Sequence, residues 1–182
     1  MPEMTATSCR QLVNFIWFQT IWLLVIFFQY EYLWVVGLLL FAFFVVCHEP
    51  RRDGVLVILL ALLGLTTDSV LTIAGVFEFP APEYGLLIPW WLVALWAAFA
   101  ATLRHSLRYF RSRWLLAILG GAVFGPVSYA AGARLGAVAF GYELTTTLLI
   151  LASVWAVVFP LSVWLSQWVE STAMINRLSS KT

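Results

Sequence analysis

In the stretch LLGLTTDSVLTIAG (62–75), a single carboxylic acid, Asp68, stands inside an apolar run with Thr66, Thr67 and Ser69 around it. An acid at the centre of a membrane helix costs about 2.5–3.5 kcal/mol on insertion scales, and such residues mark relays, pathways or ligand sites. A protonated Asp68 bonded to a neighbouring helix would instead be purely structural. The flanking hydroxyls can bond carbonyls of their own preceding turn, whereas a carboxyl needs partners from other helices. The segment GPVSY (125–129) falls at the same depth, so Ser128 and Tyr129 are candidate partners. Arg134 begins near the surface; it can reach part of the way toward Asp68 or simply cap its own helix.

Tryptophan gives the second chemical signal. Of ten, Trp34, Trp90 and Trp91 on one side and Trp17, Trp114, Trp164 and Trp168 on the other fall at interfacial depths, where indoles anchor a bundle. Trp22, Trp96 and Trp155 fall near mid-membrane, where a buried indole N–H requires an acceptor. Asp68, Gln19, Ser128, Ser153 and the carbonyls freed by Pro126 and Pro160 are the acceptors on offer. Three indoles around a carboxylate suggest a pocket for a flat or acyl ligand; a tightly packed core uses the same residues.

The segment HEPRRD (48–53) matches the H-x4-D pattern of glycerolipid acyltransferases, in which the His (here His48) is a general base oriented by the Asp (here Asp53). It fills a short loop between two apolar runs with no soluble domain around it, which argues against that chemistry. Cys9, Cys47, His48 and His105 fit no metal-ligand spacing, and no metal or cofactor is expected. Arg104, Arg108 and Arg111, read as one helical face, serve topology or meet an anionic lipid headgroup.

The elements that position these residues follow from composition. The chain has 182 residues, 63% hydrophobic and 10% charged, against about 25% charged in a soluble domain. Six apolar runs, 11–28, 32–47, 54–75, 86–103, 114–133 and 145–166, read as membrane helices. The expectation is an all-α polytopic membrane protein: one domain over 1–182, a six-helix bundle with short loops. The second run is short for a span. Arg10, Arg51, Arg52, Arg104, Arg108, Arg111, Arg113, Arg177 and Lys181 share the side of the N-terminus and Arg134 alone takes the other, which puts both termini in the cytoplasm. The basic residues are thereby spent on topology, and nucleic acid is not an expected partner. The first run reads as a retained anchor, and a Cys9–Cys47 disulfide on the cytoplasmic side is not expected. Gly121, Gly125, Ser128, Gly132 and Gly136 form a small-residue stripe, expected to pack centrally against the stripe Gly64, Asp68, Thr72 and Gly75 of the third run.

Four stretches, NFIWFQTIW (14–22), GLTTDS (64–69), PWWLVALWAAFAATLRHSL (89–107) and GAVFGPVSYAAGARLGA (121–137), together resemble a bacterial inner-membrane family catalogued as domain of unknown function 2878. The resemblance covers nearly the whole chain. It implies six spans and no established activity, and it places Asn14, Gln19, Asp68, Trp96, Thr102, His105, Pro126, Tyr129 and Arg134 in the family's motif blocks. It also implies gene neighbourhoods with lipid-modifying methyltransferases, hence a lipid-modifying partner enzyme.

Three functions compete. The leading one is binding of a hydrophobic small molecule or acyl lipid by Asp68, Trp96, Trp22, Ser128, Tyr129, Arg134, Gln19, Asn14, Thr102 and His105, with membrane lipid as partner. The second is a transporter, or its substrate-binding membrane subunit, like those of energy-coupling-factor vitamin transporters; the first run lacks their docking stripe. The third is an intramembrane enzyme using Asp68 and His105, which fall near opposite faces. The charge asymmetry predicts that a reporter fused at the C-terminus reads cytoplasmic; a periplasmic signal would invert the topology.

Overall fold

Six α-helices follow the six apolar runs: α1 (Pro2–Phe28), α2 (Leu33–Val46), α3 (Pro50–Ile73), α4 (Trp90–Leu103), α5 (Trp114–Arg134) and α6 (Leu144–Ser179). The computed structural model describes residues 2–79 and 86–179, with side chains over 8–79 and 86–172. Most of the segment EFPAPEY (78–84), Lys181 and the side chain of Arg177 lie outside the described residues. Helix makes up 81% of the described residues.

Four helices are long and apolar enough to cross a membrane: Ser8–Phe28, Pro50–Ile73, Trp114–Arg134 and Leu144–Thr172. The second and fourth are not. Each has 14 residues, about 21 Å of helix against about 30 Å of hydrocarbon. For α4 the reason is Pro89, whose backbone is extended (φ −65°, ψ 146°) and forms the N-cap. The expected start at 86 is thereby corrected to Trp90, with Pro89 standing just before the first turn.

Two short strands, β1 (Phe77–Glu78) and β2 (Ala139–Phe140), pair antiparallel, Phe77 opposite Phe140. This ribbon was not expected of an all-α chain. It arises because α3 and α5 end alike. Gly75 (φ +73°) and Gly136 (φ +79°) take the left-handed conformation that residues with a Cβ avoid. Val76 N–H then donates to Leu71 O and Ala137 N–H to Gly132 O, each at 2.9 Å, closing two Schellman turns. Both chains leave their helices in the same manner and meet.

The central helix is α4, not the expected α5. Trp91, Leu92, Trp96 and Ala98 and the run Ala100–Leu103 are buried, and α4 packs against α1, α2, α3 and α6. Trp91 is therefore a core residue instead of an interfacial anchor. The glycine stripe of α5 turns to α6 rather than α3. A Cβ on Gly121 would overlap the Trp155 backbone, and one on Gly125 the Trp155 ring. The physical reason is bulk: α5 and α6 form an antiparallel hairpin, and Trp155 needs the room of two glycines to lie between them. Pro126 and Pro160 sit inside their helices as the sequence indicates. Replacing Gly125 with Leu is predicted to abolish folded protein in detergent; a parent-like melting curve would show that the stripe does not seat Trp155.

Candidate functional site

Asp68 is fully buried on α3 and accepts two hydrogen bonds from two other helices. Trp96 Nε1 of α4 donates to Oδ2 at 2.7 Å, and Tyr129 Oη of α5 donates to Oδ1 at 2.7 Å. One turn before Asp68, Gly64 leaves space that the Trp96 ring fills; a Cβ there would overlap the indole. Gly64 and Asp68, four apart on one helix face, thus seat one indole, the first by room and the second by an acceptor. Thr66 and Thr72 bond back to Leu62 O and Asp68 O at 2.8 Å, the local bonding expected of hydroxyls in this run. Trp96 stacks on Trp155 (centroids 5.2 Å, 12°) and Tyr129 on Phe77 (4.7 Å, 11°), so both donors are fixed on both sides.

Trp96 and Tyr129 form part of the wall of a cavity of about 540 Å³ between α1, α4, α5 and α6, within the usual range for ligand pockets. Asp68 itself stands behind that wall; the expectation that it borders the cavity is corrected to its two partners doing so. No Asp, Glu, Lys, Arg or His lines the cavity among the described residues. Its polar donors are largely spent on the protein. Trp22 Nε1 donates to Ser128 Oγ at 3.0 Å, Thr102 Oγ1 to Phe99 O at 2.6 Å, and Ser106 Oγ to Asn14 Oδ1 at 2.8 Å. Trp155 Nε1 is buried with no acceptor among the described residues. Gln19 lies exposed at the rim. Apart from these two groups, what remains on the wall is largely ring face and aliphatic carbon.

Other candidates fall elsewhere. Asn14 is a tie between helices: its Nδ2 donates to Ala101 O at 3.3 Å while its Oδ1 accepts from Ser106 N–H at 3.2 Å. Arg134 lies exposed in the last turn of α5, and both Asp68 oxygens are bonded to other partners, so the direct pair is not formed. His105 does not approach Asp68; its Nε2 lies 3.5 Å from Asp53 Oδ1. His48 is exposed, and Asp53 turns instead to Arg104, which breaks the acyltransferase-like reading. Cys47 and Cys9 are free thiols. Burial and the Asp53 carboxylate push the Cys47 thiol up, away from nucleophilic character.

The cluster that sequence reading missed is ionic and lies at the opposite end of the bundle from the ribbon. α4 ends at Leu103, so Arg104, Arg108 and Arg111 do not share a helical face; a 3-10 turn, Ser106–Phe110, follows. Arg104 reaches Asp53 Oδ1 at 2.8 Å, Glu49 Oε2 at 2.5 Å and Glu170 Oε1 at 3.1 Å. Arg111 clamps Glu170 through both terminal nitrogens, at 2.6 and 2.7 Å. These two arginines are consumed by carboxylates, leaving no headgroup site at their guanidinium groups. Burial works against charge on Arg104, yet Asp53, Glu170 and Glu49 outweigh it and raise its pKa. The available signal was Asp53 and Glu170, acids that stand at the ends of apolar runs.

The matching family is described as Protein of unknown function (DUF2878), and its model spans residues 11–161. The chain belongs to this family. The match runs from the start of the apolar part of α1 past Trp155 and includes Asp68, Trp96 and Tyr129. No curated protein and no solved structure matches the chain.

Removing one partner of a buried ion cluster costs about 3–5 kcal/mol, because the remaining charge stays buried and unpaired. Arg104→Gln should therefore lower thermal stability in detergent by an amount of that order; a melt unchanged from the parent would mean that Asp53 and Glu170 are hydrated.

Proposed function

We propose that this is a multi-pass protein of a bacterial inner membrane, with six membrane helices and cytoplasmic termini, that holds a hydrophobic ligand, an acyl lipid, in the cavity beside Trp96 and Tyr129. In this arrangement α4 crosses as a short helix surrounded by protein, and the ionic cluster marks the cytoplasmic end. The observation that carries the reading is the cavity wall: uncharged, aromatic, and with its hydroxyl and indole donors largely bonded internally. A hydrocarbon chain gains about 0.8 kcal/mol per buried CH₂ from water, and within a bilayer it fits such a wall without competing for the hydrogen bonds already made there. A polar ligand such as a vitamin would lose its own hydration and find few donors in return.

Asp68 acts here as the fixture that sets the wall. Its carboxyl accepts from both Trp96 and Tyr129; an amide offers one oxygen and turns N–H groups toward the other donor. Asp68→Asn is predicted to fold but to hold its wall loosely. Native mass spectrometry of protein extracted from membranes should show bound lipid on the parent and at most about a tenth as much on the variant, a loss within the 1–3 kcal/mol of one unmet buried donor. Equal retention by Asp68→Asn would remove Asp68 from the site, and a parent without lipid would overturn the reading itself.

A further inference from the structure

Helices α1 and α5 face each other with matching patterns. Phe15, Phe18, Gln19, Trp22 and Ile26 of α1 line the cavity, and so do Gly121, Phe124, Gly125, Ser128 and Gly132 of α5. The two sets have the same spacing, and two observed contacts fix their register. Trp22 Nε1 bonds Ser128 Oγ at 3.0 Å, and a Cβ built on Gly132 would meet Ile26 Cδ1 at 3.4 Å. The same register sets Phe15, Phe18 and Gln19 level with Gly121, Phe124 and Gly125. At these three levels the glycines are occupied by Trp155 of α6, and the space in front of them is cavity.

The rim at that side is apolar and outward-facing: Phe15 is 47% exposed, Phe124 68% and Val127 58%. In a bilayer it meets lipid tails, not water. Below the Trp22–Ser128 bond, from Phe15 to Trp22, the open slot measures roughly 10 Å along α1, within the hydrocarbon depth of one leaflet, about 15 Å. We infer that one acyl chain of a bilayer lipid enters sideways between α1 and α5, with the Trp22–Ser128 hydrogen bond as a cross-bar that confines passage to the N-terminal halves of both helices. This rests on the ligand reading above and adds its route and its class. The ligand is a membrane-resident lipid that lends one chain to the protein while its headgroup stays in the leaflet on the side of the ionic cluster. A water-borne ligand has no use for a mouth lined by Phe15 and Phe124. The cross-bar is the only hydrogen bond between α1 and α5 among the described residues, so its loss frees the edge without touching the Asp68 wall.

The test uses the full chain in nanodiscs, with donor vesicles of phosphatidylglycerol carrying one deuterated oleoyl chain. Native mass spectrometry follows the appearance of deuterated lipid on the protein with time. Ser128→Ala and Trp22→Phe each remove the cross-bar from one side, and both should speed exchange by about fivefold, the rate effect of one hydrogen bond of net ~1 kcal/mol. Val127→Trp, a bulky change on the exposed rim, should slow exchange. If all three variants exchange at the parent's rate with lipid still bound, the route is wrong and the ligand reading stands. If the parent takes up no deuterated lipid and carries none from the cell, both fall.

Discussion

A carboxyl in the middle of an apolar helix cannot be satisfied by its own backbone, and hydrocarbon offers it nothing. Asp68 therefore dictates what its neighbours must be. It demands donors at one level on two other helices, and Trp96 and Tyr129 supply them at 2.7 Å each. Those donors are large rings, and large rings need flat partners and empty space to lie in. Gly64 gives the space on α3, while Trp155 and Phe77 give the partners. Trp155 in turn needs Gly121 and Gly125. From one polar group the demands run outward to the choice of helix that Gly64, Gly121 and Gly125 face.

The sequence made some of this legible. A carboxyl far from either end of a long apolar run implies partners on other helices, and depth alone put Tyr129 level with it. Trp96 was one of three central indoles that could serve. The pairing of the glycine stripe was not legible, because periodicity says which residues share a face but not which helix that face meets. Bulk decided that: a tryptophan on α6 fits where a stripe on α3 does not. The ionic cluster was hidden for a different reason. Arginines near apolar runs are normally topology markers, and nothing local distinguishes one that folds inward onto Asp53 and Glu170 from one that remains in water. The length of α4 depended on the backbone of Pro89, and the ribbon on two glycine turns whose exits happen to converge.

The two ends of the bundle are closed by different physics. At one end, carboxylates and guanidinium groups bind α3, the end of α4 and α6 by charge. At the other, backbone pairing of Phe77 with Phe140 does the same for the exits of α3 and α5, reinforced by Tyr142 Oη donating to Ala74 O at 2.8 Å. Ion pairs tolerate water at an interface, while backbone pairing needs no side-chain polarity. Between them the interior is held by the two hydrogen bonds to Asp68 and by aromatic stacking.

The ribbon has one more effect. Together with the ionic cluster it stitches the α3–α4 hairpin to the α5–α6 hairpin top and bottom, so that these four helices make a frame. The α1–α2 hairpin joins that frame chiefly along α3 and α4 and at the 3-10 turn, like a leaf hung on one post, with its far edge tied to α5 by the Trp22–Ser128 bond. The hollow is thus bounded by a rigid part and a hung part. Its walls on α4, α5 and α6 belong to helices tied at both ends, and its wall on α1 to a helix held chiefly along one edge. A substitution within the frame therefore meets neighbours fixed top and bottom, whereas one on α1 meets a hairpin that can shift as a unit.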